Sequence, residues 1–301
     1  MLRTFPLLLI AGFLVAPHTA IAHDRMPMSL IRLPESVSDL FIAETSTAKF
    51  HHFIHSGNSI SYRGSHYMSI GHGGEGKERV GDRRTPLGVY FVTEELSTFR
   101  MHEKYGVKAF PLDYPNAWDL SLQRTGDGIW VHGVDPLGGK RPIRDTDGCI
   151  ALPNEDLLEL AAEFRGNVTP VLIMREVQWA ESAGNDTLRN ELEGVVADWA
   201  TSLAEGDMYV YLSLYDDDFR RWGMSAKEWS SFSLQTVGRW AITAVVVSDL
   251  LLLASPGEDG LYLSRFRQAV VEAGRETVST KRLYWRRNTS GALKIIAEDN
   301  G

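Results

Sequence analysis

Between residues 40 and 174 the apolar positions come in short clusters, at 40–44, 50–55, 67–70, 88–92, 129–132 and 168–174, with Gly, Pro and Asn punctuating the gaps. Clusters of that length, bounded by turn-forming residues, predict strands. One stretch breaks the rhythm. Leu157, Leu160, Ala161 and Phe164 share a helical face, Asn154 stands where a helix is capped, and Gly166 stands where a left-handed cap ends one. The first half of the chain therefore predicts a mainly β domain with a helix just after Cys149.

Residues 176–186, containing Glu-Ser-Ala-Gly-Asn-Asp, change the texture and predict a linker. Beyond it Leu188, Leu192, Val195, Val196, Trp199 and Leu203 recur at helical spacing, and Ser225 with Glu228 makes a capping-box pattern. The pattern then turns to strands at 241–247, 250–254, 261–271, 278–285 and 293–297, with Asp259-Gly260 and residues 288–291 as turns. Helices ahead of an antiparallel meander predict an α+β domain.

The first twenty-two residues have the pattern of an export signal: Arg3, an apolar run over 5–15, and the small residues Ala20 and Ala22 ahead of His23. The expected organisation is a signal peptide at 1–22, a first domain at 23–175, a linker at 176–186 and a second domain at 187–301. The apolar run is short and interrupted by Pro6 and Pro17, whereas a spanning helix needs about 20 apolar residues. A soluble periplasmic product is expected, with no stable membrane insertion after cleavage. Cys149 is the single cysteine, so no internal disulfide can form and stability must come from packing. With 301 residues, 44% of them hydrophobic, packing suffices for two cores. The formal charge of −8 becomes −9 once Arg3 leaves with the signal, which argues against nucleic acid or anionic lipid as the main partner.

Candidate chemistry concentrates in residues 129–152, where His132-Gly133 ends a strand and a Gly- and Pro-containing loop leads to Thr146-Asp147-Gly148-Cys149. A free thiol, with pKa near 8.5, is only a few per cent thiolate at neutral pH. A histidine within reach corrects this by taking the proton, holding a thiolate–imidazolium pair and later returning the proton to a leaving amine. His132 is the expected base and Cys149 the expected nucleophile. The Gly133 carbonyl is the nearest group able to fix the imidazole, and the Gly148 and Cys149 backbone N–H groups are expected to face an oxyanion.

These residues resemble the L,D-transpeptidase (YkuD-like) catalytic domain, whose motif is His-Gly at a strand end followed by Ser/Thr-x-Gly-Cys and an apolar residue. Here His132, Gly133, Thr146, Gly148, Cys149 and Ile150 match it. Gly81-Asp82-Arg83-Arg84-Thr85-Pro86-Leu87-Gly88 is similar to a second family segment, and Tyr114-Pro115-Asn116 with Asp119 to an element of one subgroup. The resemblance covers roughly residues 40–174. It implies a β-sandwich with short helices, no cofactor, and attack on the bond between diaminopimelate and D-alanine in tetrapeptide stems of peptidoglycan, through a thioester. An amine acceptor makes a cross-link, an L,D-transpeptidase outcome; water makes a tripeptide stem, an L,D-carboxypeptidase outcome. The motif does not separate the two. A cysteine endopeptidase releasing wall-attached proteins shares the nucleophile, and a non-catalytic wall-binding protein is the alternative from another class.

Two departures from the family pattern bear on substrate handling. Asp147 stands where many members have His, and Ala151 where many have Arg. An aspartate beside the nucleophile disfavours thiolate unless it is paired, and Arg141 or Arg144 is the expected partner. Arg141, Arg144, Thr146, Asp147, Asn116 and Asp119 are the candidate substrate-binding residues. His51, His52 and His55 do not make a metal site by pattern, since His52 lies opposite the other two on a strand and no second cysteine is present.

The second domain resembles the nuclear transport factor 2-like fold, a helix-backed curved sheet forming a cone, through residues 207–219, 265–268 and 281–285. Trp199, Trp229, Phe266 and Trp285 are expected as core. The resemblance implies a module that binds wall material or forms a homodimer and presents substrate to the first domain. Cell-shape L,D-carboxypeptidases combine such domains in this order.

Overall fold

Leu40, Phe41, Ile42 and Ala43 are all fully buried, which a half-solvated strand would not allow. They form the middle of the strand Asp39–Glu44 in a five-stranded mixed sheet ordered Ser59–Tyr67, Lys49–Ser56, Asp39–Glu44, Pro170–Met174, Gly88–Phe91. Asp39–Glu44 and Pro170–Met174 run parallel, and the remaining neighbours antiparallel. Alternation divides each strand between two cores. Phe41, Phe50, Tyr90, Val171 and Ile173 face one that contains Phe110, Ile150, Leu157 and Phe164. Leu40, Ile42, Val89, Phe91, Leu172 and Met174 face the other. The computed structural model describes residues 25–57, 59–137, 141–181, 186–239 and 241–301. The expected signal and residues 182–185 of the expected linker lie outside the described residues.

The second core belongs to both halves of the chain. Its far wall is Leu251, Leu253, Leu261, Leu263, Tyr284, Ile296 and Ala297, from the C-terminal sheet. That sheet is antiparallel, ordered Leu293–Asp299, Arg275–Arg287, Leu261–Glu272, Ile242–Ala254, Leu30–Arg32. Its other face packs beneath the helices Asp186–Glu205, Met208–Ser213 and Ala226–Gln235 around Trp199, Phe219, Trp229, Phe266 and Trp285. The architecture is a mainly β first domain and an α+β cone, back to back. Arg282, on the shared face of the cone sheet, is ion-paired to Asp113 of the first domain and to Asp299 beside it. Among the described residues no helix is long and apolar enough to cross a membrane.

Several local expectations are corrected. Pro153, not Asn154, is the N-cap residue of the helix Asn154–Leu160. Asn167, not Gly166, takes the left-handed conformation, at φ 57°; Gly166 is required because a Cβ there would lie 2.5 Å from Thr93 O. The two strands expected at 241–247 and 250–254 are one, Ile242–Ala254, carried through a register shift by Asp249 at φ 58°. The long strand Ser59–Tyr67 falls mostly outside the expected set because its residues are polar and mainly exposed. Part of the expected linker is a strand, Trp179–Glu181, paired with Arg25–Pro27. Leu30–Arg32, sequentially in the first domain, is an edge strand of the second domain's sheet. The Ser225–Glu228 capping box forms, with Ser225 N donating to Glu228 Oε2 at 2.8 Å.

Candidate active site

Trp130–His132 is the central strand of a small sheet, between Ile150–Ala151, parallel to it, and Ala109–Pro111, antiparallel to it. The register pairs Ile150 with Val131 and Ala151 with His132. Continued by one residue beyond the strand, this register sets Cys149 beside Trp130, two strand positions from His132. Tyr105 packs here, its ring 4.9 Å from Trp130 and 5.2 Å from His132. The Cys149 thiol donates to Gly128 O at 3.3 Å, and the Trp130 backbone also reaches the sulfur.

His132 is buried, with Nδ1 2.6 Å from Gly133 O. A carbonyl only accepts, so Nδ1 carries the proton and Nε2 keeps its lone pair. Gly133 has no room for a side chain, since a Cβ would lie 2.2 Å from Asn154 Oδ1. That oxygen accepts from Val134 N at 3.0 Å, while Asn154 Nδ2 donates to Val134 O at 2.8 Å. Asn154 thus fixes the turn that orients the imidazole.

Two threonines brace the nucleophile's loop. Thr146 Oγ1 accepts from Gly148 N at 3.1 Å and donates to Cys149 O at 2.7 Å. Thr85 Oγ1 accepts from Gly71 N at 3.0 Å and donates to Gly148 O at 2.9 Å. Gly148 sits at φ 130°, and a Cβ there would lie 2.8 Å from Arg84 O. The expectation of a Gly148 oxyanion donor is corrected by this bonding. Its N–H is engaged by Thr146, so the donor left at the nucleophile is the Cys149 N–H.

Burial sets the charge state. It pushes the Cys149 thiol up to about 11, more than the Trp130 backbone and the Lys104 ammonium bring it down. It pulls the His132 imidazole down to about 4, against the Gly133 carbonyl and helped by the nearby cations Arg141 and Lys104. These shifts work against a resting thiolate–imidazolium pair and favour thiol and imidazole as the starting forms.

The other candidates separate. Asp147 is exposed and lies 3.5 Å from Lys104 Nζ and 3.8 Å from Arg83 Nε, not beside Arg141 or Arg144. Arg141 instead lies 3.7 Å from Asp145 and donates to Lys104 O. Arg144 is on a different surface, lining a cavity of about 710 Å³ with Thr45, Ser46, Glu75 and Arg175. Asn116 and Asp119 are buried and occupied within the fold. They cap the helix Ala117–Ser121, Asn116 donates to Val89 O, and Asp119 pairs with Arg124 at 2.9 Å. His51, His52 and His55 are held by Glu44, Asp39 and the Val37 carbonyl respectively.

Sequence reasoning missed Lys104, Tyr105, Thr85 and Asn154. Of these, Thr85 lay in a quoted motif, and Asn154 was singled out only as a helix cap. Lys104 and Tyr105 come from a loop with no periodic pattern, and only Gly106 at φ 63°, packed within 2.5 Å of Val134 N for a Cβ, marks it as tightly docked. Beside the site runs a groove of about 420 Å³, lined by Tyr67, Ser69, Asp135, Arg141, Ala151 and Asn154, with Glu155 and Asp156 at its rim.

Residues 42–173 match the YkuD family model, an L,D-transpeptidase catalytic domain, and residues 191–299 match the Cds6 C-terminal NTF2-like domain. No curated protein sequence matches the chain at a significant level. Among solved structures, Bd1075 of Bdellovibrio bacteriovorus is similar at 25% identity and TM-score 0.75, covering 92% of this chain and 98% of that one. The helical cell shape determining protein Pgp2 of Campylobacter jejuni has the same fold at 24% identity and TM-score 0.76, covering 90% of this chain and 96% of that one.

Proposed function

We propose, for a chain whose residues 42–173 are a YkuD L,D-transpeptidase catalytic domain and whose residues 191–299 are a Cds6-type NTF2-like domain, that it is a periplasmic peptidoglycan enzyme working through Cys149 on tetrapeptide stems. The observation that carries the reading is His132, held by Gly133 O through Nδ1 and level with Ala151 on the strand beside the nucleophile. Cys149 Sγ attacks the carbonyl carbon between diaminopimelate and D-alanine while its proton passes to His132 Nε2. The Cys149 N–H meets the oxyanion. The C–N bond then breaks, the imidazolium returns the proton to the leaving D-alanine amine, and a thioester remains. Because both groups start neutral, proton transfer accompanies attack.

The thioester is resolved by the amine of a second stem, giving transpeptidation. Similarity to a cell shape determining protein and the order of the two domains favour hydrolysis by water as the second reading, an L,D-carboxypeptidase outcome. Incubation of the mature protein with purified sacculi, followed by muropeptide separation, tests both. New cross-links indicate transfer, and tripeptide stems without cross-links indicate hydrolysis. The Cys149→Ala variant should stay folded and convert nothing; normal conversion by it would exclude the mechanism. Peptide stems are the partner, and the NTF2-like domain presents them or joins two copies.

A further inference from the structure

Tyr90 carries the only side-chain hydroxyl of the buried strand Gly88–Phe91, and a phenol in a core must find an acceptor. It finds two. Its oxygen lies 3.2 Å from Leu87 O and 3.1 Å from Asp119 Oδ2, so one proton is shared between a backbone carbonyl three residues back and a buried carboxylate. The fold makes room for this at Gly88, where a Cβ would lie 2.8 Å from the phenol oxygen. Asp119 is held in turn by Arg124 Nη1 at 2.9 Å and by Asn116 N at 3.2 Å. Its neighbour Trp118 packs into the core shared with the C-terminal sheet, so the helix Ala117–Ser121 that carries the carboxylate is seated against both domains.

Leu87 is two residues from Thr85, and Pro86 between them has a fixed φ. Thr85 Oγ1 spans Gly71 N and Gly148 O, and Gly148 is the residue before the nucleophile. We infer that Tyr90 is a positioning residue for Cys149: its hydroxyl, held by Asp119, fixes the Leu87 carbonyl and so keeps Thr85 against the nucleophile's loop. The inference rests on the proposed role of Cys149 and adds residues that act through the loop rather than on the substrate. A ring that only filled the core would be served as well by phenylalanine, with no carboxylate beside it. Burial is costly for that carboxylate and raises the Asp119 carboxyl above its usual range even against Arg124.

Tyr90→Phe keeps the ring and removes the hydroxyl. On soluble muropeptides kcat should fall about tenfold, the size of one lost hydrogen bond, while KM stays within about twofold. Asp119→Asn should move kcat and KM the same way. In a Thr85→Val background, where the link to Gly148 is already cut, Tyr90→Phe should lower kcat no further. Hydrogen exchange followed by mass spectrometry reads the link without turnover, and serves also where Thr85→Val does not fold. Tyr90→Phe should quicken exchange in the peptides carrying Gly71 and Gly148 and leave those of the strand Leu261–Glu272 protected. Unchanged kcat in Tyr90→Phe, beside a wild type that converts muropeptides, would overturn the inference and leave the proposed function standing. An equal fall in both backgrounds, or exchange quickened throughout the molecule, would assign the hydroxyl to general stability and overturn it as well. A wild type that converts nothing would remove the proposed function, and exchange at Gly71 and Gly148 would still decide the link: quickened there alone it stands, unchanged it falls.

Discussion

The imidazole of His132 donates through Nδ1 to the carbonyl of the next residue, Gly133, at 2.6 Å, a bond between neighbours that holds the proton on Nδ1 and leaves Nε2 as the basic nitrogen. The hydrogen bond that orients the base therefore comes from backbone, with the turn behind it braced by Asn154, and among the described residues no carboxylate is bonded to the ring. Burial without a carboxylate keeps the imidazole neutral to unusually low pH, and the first expectations follow from that.

In the acid limb of kcat/KM, activity should persist well below pH 6.5 and fall only toward pH 4, the value to which burial lowers His132. A limb centred near 6.5 would contradict the neutral buried base. Stability follows the same residue. Between pH 6.5 and about 4 the unfolded chain binds a proton at this site that the folded chain refuses, so stability falls as pH drops through that window. The amount is about 3 kcal/mol, and His132→Gln should remove that part of the pH dependence in denaturant titrations.

Alkylation of Cys149 by iodoacetamide, followed by intact mass, should be slow at pH 7 and still accelerating above pH 9, because the thiol is pushed up to about 11. Asp147→Asn, which removes a like charge, should quicken it, and Lys104→Met, which removes a cation, should slow it. Both charges are substantially exposed, so high salt should shrink the two effects.

Thr85→Val removes a hydroxyl that serves Gly71 N and Gly148 O together in a fully buried position. Two buried backbone groups lose their partner, at a cost of about 2 to 4 kcal/mol. The loop carrying Cys149 loses its anchor as well, so kcat should fall more than KM changes. Thr85→Ser, which restores the hydroxyl, should recover most of both.

Arg282→Met leaves Asp113 and Asp299 without their shared guanidinium at the join between the domains. Removing the guanidinium that these two part-buried carboxylates share should destabilise the join. The two domains share one apolar core, so calorimetry should show a single transition in the wild type, moved to lower temperature in the variant. Two separated transitions in the wild type would contradict the shared core.

The sequence made the first domain's strands legible where both faces are buried, as in 40–44 and 168–174, because continuous apolar runs survive any register. It hid Ser59–Tyr67, whose exposed polar residues carry no pattern. His132 and Cys149 stood out by motif, but their charge state did not, since burial is a property of Tyr105 and the loop around it, brought in from far along the chain. Asn116 and Asp119 were misread as contacts for substrate because a motif records which residues recur and not which way they face. Their side chains cap a helix and close on Val89 and Arg124.

Leu30–Arg32 completes the C-terminal sheet by pairing with Leu252 and Leu253. An early segment of the chain thus waits on a strand, Ile242–Ala254, synthesised far later. Folding that begins at the N-terminus holds this segment open until Ile242–Ala254 arrives, a long-range closure that slows assembly and leaves a sheet edge exposed in the meantime.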